Sequence, residues 1–341
     1  MKRYLTTLVT AVALTSCYED YVVDYDYSAV YIAYQYDLRT FVIGEDMKFD
    51  LTVALGGVAA NDRNRSVSVS VDDALLTSDL SRYSTDSHTA EFYAIDGLTG
   101  RAPIGHMSQN YVSKEVTAAG LTELTPLPKD CYEITGLDGL KIKKGRHTAV
   151  ATIRATETLL NDEKAFAPYY ALGFAVTSAD ADRVVPEKSY AVIAVKCEHM
   201  LYGNWYYGGS AVVKDREGTV ISERSYPIEL PQSDDKVKVL STVSADCVEW
   251  DSPYAGKMRI VIDASSLTVS AADPSVEIGA IEGEPSRYNQ ARLLQDRRLY
   301  LNYTVTAPDG TVTYVRDELL FRNRIRDGVN EWQDENPENY N

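Results

Sequence analysis

The sequence predicts an all-β protein built from many short antiparallel strands, and three observations support this fold class. Apolar and polar residues alternate with a period of two in residues 47–55, 67–71 and 299–305. Such alternation gives a strand one buried and one solvated face. Turn-forming pairs such as Asp138-Gly139 separate these runs, and only residues 156–163 show a helical pattern. Short strands joined by Gly and Pro turns favour sandwiches or barrels.

The first element of the chain is a predicted export signal. A positive start at Lys2 and Arg3 precedes an apolar run, and small residues lead to a cysteine in Leu14-Thr15-Ser16-Cys17. The apolar run is too short to span about 30 Å of hydrocarbon, which takes roughly 20 residues. We therefore expect residues 1–16 to be a signal peptide that is removed after export.

Cys17 directly follows the small residues and resembles the lipidated cysteine of the bacterial lipobox. The resemblance implies a diacylglyceryl anchor on Cys17, which would hold the protein on a membrane without crossing it. An ordinary signal peptide with an unmodified cysteine is the alternative. Glu19 and Asp20 resemble the surface-export signal of outer-membrane lipoproteins, which implies a lipid-anchored protein facing the cell exterior.

The composition limits the classes of partner and cofactor. A formal net charge of −16 repels nucleic acid, so we expect no nucleic-acid partner. Cys131, Cys197 and Cys247 are an odd number of further cysteines, so one pair could form a disulfide but a complete framework could not. The chain has no CxxC or HExxH motif and four histidines without metal-ligand spacing. The sequence therefore predicts no metal site and no cofactor.

Changes in pattern along the chain predict two domains between flexible ends. Residues 17–28 are expected to be a lipidated tether, and residues 29–198 an N-terminal, immunoglobulin-like β-sandwich that contains a polar excursion over 77–127. Residues 199–333 are expected to form a C-terminal antiparallel β-barrel or sandwich. The Gly-x-Trp at Gly203–Trp205 resembles the opening of lipocalin-like barrels. Residues 334–341 are expected to be a polar tail.

Segments from both domains together resemble a family of two-domain surface lipoproteins encoded in polysaccharide-utilisation loci. The matching segments are "VYIAY", "FDLTVALGGVAAN", "LPKDCYEI" and "ALGFAVTSAD" in the first domain, and "YGNWYYGG", "LSTVSADCVEW" and "LLFRNRIRDGVNEW" in the second. The resemblance implies accessory glycan binding, as in starch-utilisation systems, beside a TonB-dependent importer and its lipoprotein partner. Some relatives add a glycoside hydrolase domain, but this chain has no DxxDxDxE run.

Aromatic residues of the second domain are the candidate glycan-binding residues, because flat rings stack on the C–H faces of sugars. Trp250 and Tyr254 lie near Asp251-Ser252-Pro253, so we expect a strand end or loop, where binding residues concentrate. Trp205 and Tyr206 form a second candidate cluster, although alternation favours a core position for Trp205.

Two other features, a tryptophan near the end of the chain and a row of arginines, have more ordinary interpretations. Trp332 is expected to dock the tail onto the barrel. Arg322, Arg324 and Arg326 alternate after Phe321 and are expected to pair with local carboxylates such as Asp317; a row binding an anionic sugar is the alternative.

The sequence favours a protein that is not an enzyme. It has no GxSxG, P-loop or dinucleotide-binding motif. A glycosidase needs only two suitably spaced carboxylates, for which Glu249 and Asp251 are the nearest candidates. An adhesin or assembly-type structural lipoprotein is the other alternative, because it would share the lipobox and the β-domains.

Overall fold

The chain is described from a computed structural model that covers residues 27–76 and 112–334, except residues 113, 117, 122 and 123. Cys17, its flanking acids and most of the 77–127 excursion lie outside the described residues, so the expectations for them stay predictions. The described residues are nearly all in strands and turns, which confirms the predicted all-β class. In the first domain the strands are β1 (Ala29–Ile32), β2 (Tyr36–Ile43), β3 (Lys48–Gly56), β4 (Arg65–Val71), β5 (Thr125–Pro126), β6 (Tyr132–Thr135), β7 (Lys141–Ile142), β8 (Thr148–Ala155), β9 (Tyr170–Ala179), β10 (Arg183–Val184) and β11 (Tyr190–His199). In the second they are β12 (Gly203–Lys214), β13 (Val220–Tyr226), β14 (Lys238–Ser244), β15 (Cys247–Ser252), β16 (Gly256–Asp263), β17 (Ser266–Ala271), β18 (Glu277–Ala280), β19 (Arg287–Tyr288), β20 (Arg298–Thr306), β21 (Val312–Arg326) and β22 (Val329–Glu331).

Strands β1 to β11 form a sandwich of two sheets. One sheet has the order β10-β1-β3-β8-β6, and the other has β2-β11-β9-β4-β7 with β5 beside β9. Alternation in β3 sends Phe49, Leu51 and Val53 inward, where they join apolar residues of the facing sheet such as Phe174 and Ile193 in one core. Most neighbouring strands are antiparallel, but β2 and β11 pair in parallel.

Strands β12 to β22 form a closed antiparallel barrel. Successive pairings run from β12 through β14, β15, β16, β17, β19 and β20 to β21, and β21 pairs back onto β12. Because this circuit returns to its first strand, its strands close into a barrel, and β13, β18 and β22 pair outside the circuit. Large side chains fill the interior, among them Trp205, Leu240, Met258, Tyr303 and Phe321. The barrel core is therefore packed and leaves binding to its ends.

Strand β12 has three partners because its two halves use different neighbours on one edge. Gly203–Trp205 pairs with β14, whereas Gly209–Lys214 pairs with β13, and β21 follows the other edge throughout. Gly209 has φ +149, and a Cβ there would lie 2.2 Å from the carbonyl oxygen of Arg316. Only glycine accepts this backbone and this close approach. Along this edge of β12 the barrel wall therefore divides between β13 and β14, and this division is called the split in the barrel wall. Residues 227–237 connect the two strands across it.

The two ends of the barrel face different surroundings. At one end, called the junction end, the β14–β15 turn packs Ala245 against the sandwich core, and the Thr242 hydroxyl accepts a hydrogen bond from the His199 backbone N–H at 3.0 Å. The β15–β16 turn at residues 253–255 lies at the opposite end, called the distal end, because β15 runs the length of the wall between these turns.

An ionic cluster joins the two domains at the junction end. Glu45, just after β2, forms ion pairs with Arg297 at 2.8 Å, Arg324 at 3.1 Å and Arg326 at 3.6 Å. Burial alone would raise the pKa of Glu45, but Arg324 and Arg297 hold the pKa below its ordinary value. The Thr40 hydroxyl adds a hydrogen bond to the Asp327 carboxylate at 2.8 Å.

The short helices are all of the 3-10 type where their bounds are described. Two of them, Glu157–Asn161 and Glu163–Phe166, fall on or next to the predicted helical segment. Within the described ranges, no helix is long and apolar enough to cross a membrane. The remaining 3-10 helices are Asp73–Leu75, Pro186–Lys188, Asp234–Lys236 and Leu294–Asp296.

Candidate functional site

A buried carboxylate surrounded by tyrosines lies under the distal end of the barrel. Asp317 on β21 is 2% exposed, and its Oδ1 accepts hydrogen bonds from the hydroxyls of Tyr207 at 2.9 Å and Tyr226 at 2.8 Å. Its Oδ2 accepts from the Tyr303 hydroxyl at 2.9 Å. The Ser252 hydroxyl lies 2.8 Å from that of Tyr303 and extends the network. Each carboxylate oxygen is thus satisfied inside the barrel.

The Asp317 environment keeps its proton affinity high. Burial raises the pKa of Asp317 to about 6, against the lowering effect of the hydroxyls of Tyr226, Tyr303 and Tyr207. Burial and the nearby Asp317 charge raise the pKa of all three tyrosines above their ordinary value. These tyrosines therefore stay protonated as donors, and Asp317 changes charge near pH 6.

Tyr207 and Tyr226, together with Tyr254, line a cavity of about 410 Å³ that opens at the distal end. The rings of Tyr207 and Tyr226 stack with centroids 5.4 Å apart, and the Tyr254 ring lies 6.2 Å from that of Tyr226. This cavity is called the tyrosine pocket. Its lining residues are Tyr207, Arg224, Ser225, Tyr226, Pro227, Glu229, Gln232, Lys236, Pro253 and Tyr254.

Tyrosine rings and polar side chains are combined in this pocket at fixed positions. Gln232 donates to the Tyr207 carbonyl and accepts from the Tyr207 N–H, both at 2.8 Å, which holds the 227–237 segment against β12. Arg224, Glu229 and Lys236 are exposed around the rings. Apolar ring faces beside a few hydrogen-bonding groups are typical of small-ligand sites. Asp317 itself is too buried to act as an accessible acid or base.

The structure separates the two residues Trp250 and Tyr254 that the sequence places together. Trp250 lies within β15, two residues before the strand ends, rather than in an exposed loop; it is 2% exposed, and its ring centroid lies 5.8 Å from that of Tyr207. Val248, Trp250 and Ser252 alternate on the inward face, which explains its burial. Its indole N–H has no hydrogen-bond partner among the described residues. Tyr254 lies in the β15–β16 turn and lines the tyrosine pocket.

The second predicted cluster is divided by the wall of the barrel. Trp205 is fully buried, donates its indole N–H to the Leu201 carbonyl at 3.1 Å and packs edge-on against Phe321, so its expected core position is confirmed. Tyr206 points to the opposite face, where the Arg322 guanidinium lies 5.8 Å from its ring centroid. Neither residue lines the tyrosine pocket.

The arginine row pairs with carboxylates, as expected, but not with Asp317. Arg322 pairs with Asp234 at 2.8 Å, and Arg324 pairs with Glu45 and Glu331. Asp317 is unreachable because it faces the barrel interior with Val315, Leu319 and Phe321. Arg322 therefore pairs with Asp234 on the outer face, and Arg324 pairs with Glu45 across the junction, in place of the expected contact with Asp317.

The expected docking of Trp332 is also corrected. Its ring is 57% exposed, although the neighbouring Asp334 accepts a hydrogen bond from the Leu294 backbone N–H at 2.7 Å. The tail therefore attaches to the barrel through Asp334, and the indole of Trp332 remains at the surface.

The remaining sequence candidates lie apart from the pocket. Glu249 forms an ion pair with Lys257 at 3.0 Å, and Asp251 is exposed on the outer face of β15. Cys131, Cys197 and Cys247 are buried free thiols. Across the part of the chain that the structure describes, no group of three or more His, Cys, Asp or Glu residues could hold a metal ion.

Sequence reasoning missed the centre of this site, namely Asp317, Tyr207 and Tyr226. The sequence does hold a sign of Asp317, because this residue falls in the same alternating positions as Val315, Leu319 and Phe321, which face inward along β21. A carboxylate at a core position needs hydrogen-bond donors. The sequence does not show which tyrosines supply them, because Tyr226 approaches Asp317 only through the split in the barrel wall.

Comparisons with known proteins show likeness in fold. No protein-family model and no curated protein matches the chain. A structural-genomics protein of unknown function from Bacteroides ovatus is 19% identical with a TM-score of 0.59, over 91% of this chain and 99% of that one. A second B. ovatus protein of unknown function is 11% identical with a TM-score of 0.36, over 90% of this chain and 100% of that one. An auxiliary nutrient binding protein from Bacteroides thetaiotaomicron is 12% identical with a TM-score of 0.37, over 87% of this chain and 95% of that one. The first protein thus shares the two-domain β fold of this chain along nearly its whole length.

Proposed function

We propose that this chain is a non-catalytic lipoprotein of the outer-membrane surface that binds glycans for a polysaccharide uptake system. The observation that carries the proposal is the tyrosine pocket, in which the rings of Tyr226 and Tyr254 lie beside exposed hydrogen-bonding groups at the open end of a packed barrel. Tyr254 is a residue that the sequence pattern alone selects for this role.

The chemistry of the pocket suits a sugar. Sugar rings have apolar C–H faces that pack on aromatic rings, and hydroxyls that need donors and acceptors at the edge. Tyr226 and Tyr254 supply the rings, whereas Arg224, Glu229 and Lys236 supply the polar rim. The network around Asp317 fixes Tyr226 in place before a ligand arrives, which lowers the entropic cost of binding.

The proposed location rests on the sequence around Cys17. The lipobox supports export and lipid anchoring, and the acidic residues after Cys17 support exposure at the cell exterior. A surface binder that captures polysaccharide beside a TonB-dependent importer would use such an anchor, with the sandwich between the lipid and the barrel.

The binding proposal can be tested by affinity electrophoresis of the chain from residue 18 onward, in gels that contain a panel of plant, host and microbial polysaccharides. We expect at least one glycan to retard the wild-type protein. Tyr254→Ala should weaken this retardation about fivefold or more, because a stacking ring contributes more than about 1 kcal/mol to binding. Tyr300→Ala is the matched control, since Tyr300 is half-buried on β20 outside the pocket.

Three outcomes would count against the binding proposal. Equal retardation of wild type and Tyr254→Ala would remove the tyrosine pocket as the site. No retardation by any glycan would favour the adhesin or assembly alternative. Shortening of a glycan during incubation would revive the enzyme alternative.

The anchor can be tested separately by Cys17→Ser in the full chain expressed in a Gram-negative host. We expect the wild type to fractionate with membranes and incorporate labelled fatty acid, because two or three acyl chains bind strongly at about 0.8 kcal/mol per buried CH₂. The serine variant should do neither. Membrane fractionation of the variant without label would contradict lipid anchoring as the means of attachment.

A further inference from the structure

A second and larger cavity lies at the junction end of the barrel, on the opposite end from the tyrosine pocket. This cavity of about 1210 Å³ is called the junction cleft. Residues 44–48 of the sandwich form one side, whereas residues 290–297 and 324–334 of the barrel form the other. Because both domains supply its walls, the cleft exists only in the assembled two-domain protein.

An exposed tryptophan lies at the edge of the junction cleft. Trp332 lines the cleft with 57% of its surface exposed, although burial of so large a ring is strongly favourable. Its position is fixed on both sides: Glu331 pairs with Arg324 at 2.7 Å, and Asp334 binds the Leu294 N–H at 2.7 Å. The backbone thus holds the indole at the cleft without covering it.

The walls of the cleft carry many hydrogen-bonding groups but little unbalanced charge. The charged side chains of the lining nearly balance: the carboxylates are Glu45, Asp46, Glu331 and Asp334, and the cations are Lys48, Arg292, Arg297, Arg324 and Arg326. Amide side chains line the cleft as well, from Gln290, Asn330 and Gln333. These groups suit hydroxyls better than a charged ligand.

Arg297 supplies a separate sign of an unfilled site. It is 3% exposed and lines the cleft, and its Nη atoms donate to Glu45, to the Met200 carbonyl and to the Arg292 carbonyl. Its Nε–H has no hydrogen-bond partner among the described residues. Buried donors are usually satisfied, so an unpaired donor on a side chain that lines the cleft is an exception that a structural role alone does not account for.

From these observations we infer that the junction cleft is a second carbohydrate site, which takes an uncharged stretch of polysaccharide stacked on Trp332. The hydroxyls of this polysaccharide bind the paired Arg and Glu side chains and the amide side chains of the cleft. The site is distinct from the tyrosine pocket and does not depend on it. Strand β20 runs between the two ends with 9 residues, so the sites lie about 30 Å apart.

Two sites at opposite ends of the barrel would favour polymers over short sugars. A long chain that reaches both sites binds the second one at a high effective concentration, which raises the overall affinity. An oligosaccharide too short to span the barrel gains nothing from the second site. Polymer length therefore provides a test that a single pocket would not pass.

The inference can be tested by the fluorescence of the chain's three tryptophans. Trp205 and Trp250 are buried, so quenching by added iodide reports mainly on Trp332. Neutral galactomannan, xyloglucan, amylopectin and dextran are the probes, with polygalacturonate and dextran sulfate as charged counterparts. We expect a neutral polysaccharide to protect the emission from iodide and to shift it to shorter wavelength, with little change between 50 and 500 mM NaCl.

Variants assign the signal to the cleft. Trp332→Ala should remove the iodide-sensitive emission and weaken gel retardation by the same neutral polysaccharide about fivefold to thirtyfold, as expected for an anchoring aromatic residue. Ile325→Ala is the matched control, because Ile325 is 47% exposed on the same hairpin but does not line the cleft. The double variant Tyr254→Ala with Trp332→Ala should bind more weakly than either single variant.

The outcomes separate the cleft from the tyrosine pocket. Retardation lost in Tyr254→Ala but unchanged in Trp332→Ala, without iodide protection, would overturn the cleft and leave the pocket in place. Loss in Trp332→Ala alone would support the cleft and overturn the pocket. Protection only by the charged polysaccharides, removed by 500 mM NaCl, would overturn the uncharged ligand. No interaction with any probe would overturn both sites.

Discussion

The two ends of the barrel each hold a carboxylate, and they satisfy it in opposite ways; Asp317 is fully buried, whereas the Glu45 side chain stays 24% exposed. At the junction end, Glu45 lies among three arginines, and its pKa is lowered. At the distal end, Asp317 lies among three tyrosine hydroxyls, and burial raises its pKa to about 6. Neutral donors satisfy the hydrogen bonds of a carboxylate but do not balance its charge.

This contrast indicates different roles for the two ends. The arginines hold the pKa of Glu45 below its ordinary value, so its ion pairs across the joint persist at neutral pH. Asp317 titrates near neutrality, so the hydrogen bonds that position Tyr207 and Tyr226 depend on pH. Ion pairs suit the contact that holds two domains together, whereas hydrogen bonds from neutral tyrosines to a carboxylate position rings at the floor of a pocket.

The largest expected effect comes from Glu45→Gln. Removing this charge leaves Arg297 buried without a carboxylate, and breaking such a pair costs about 3 kcal/mol or more of the free energy of unfolding. Urea denaturation at pH 7 would measure the loss. The control is Asp46→Asn, the next residue, whose side chain is 58% exposed in its ion pairs and should contribute less than about 1 kcal/mol. Equal effects of the two variants would mean that the junction cluster does not hold the domains.

Asp317→Asn should have an effect of similar size but of a different kind, because it depends on pH. The pKa of Asp317 in the folded protein is raised from 3.8 to about 6, so the folded state holds the proton more tightly than the unfolded state. This contribution is fully present below about pH 4 and is lost as pH rises through 6. The stability of wild type relative to the Asn variant should therefore fall by about 2 kcal/mol between pH 4 and pH 7.

Denaturation of both proteins at several pH values would measure this difference. Burial also raises the pKa of Asp327 to about 6, but Asp327 is present in both proteins, so its effect cancels in the difference between them. A difference that stays constant from pH 4 to pH 7 would show that Asp317 does not titrate in this range.

The smallest effect is expected from Tyr226→Phe, which removes one donor to Asp317 and keeps the ring in the pocket. Loss of a hydrogen bond to a charged group should reduce the free energy of unfolding by about 1–2 kcal/mol at pH 8, and by less at pH 5, where Asp317 is protonated. The pKa of Asp317 should rise further, which moves the midpoint of the pH dependence upward. A downward shift would mean that Tyr226 does not stabilise the ionised form.

Alternation along the chain is enough to predict many of the strands. The predicted strand over residues 47–55 becomes β3, with Phe49, Leu51 and Val53 inward, and residues 299–305 lie in β20 with Leu299, Leu301 and Tyr303 fully buried. This works because a period of two is a local property of the backbone. The core position of Trp205 follows from the same rule.

The site was less accessible to such reasoning because it depends on contacts between distant segments. The turn signal Asp251-Ser252-Pro253 predicts a strand end or loop for Trp250, but it does not show that Trp250 faces inward on β15, which continues to Ser252. The sequence predicts packing for Trp332, but no local pattern shows that Glu331 and Asp334 hold the segment while the Trp332 indole stays exposed. The junction cluster joins Glu45 to Arg297, which lies 252 residues further along the chain, and to Arg324, which lies 279 residues further along.

The split in the barrel wall makes the pocket and the scaffold separable units. The circuit of pairings that closes the barrel does not include β13, and residues 227–237 form none of its strands. Substitutions of exposed rim residues between Asp215 and Val237, such as Arg224 and Glu229, can therefore change the pocket rim while the closed wall and the domain joint stay intact. Related chains could diversify their ligands through this one exchangeable segment, as antibodies do through their variable loops.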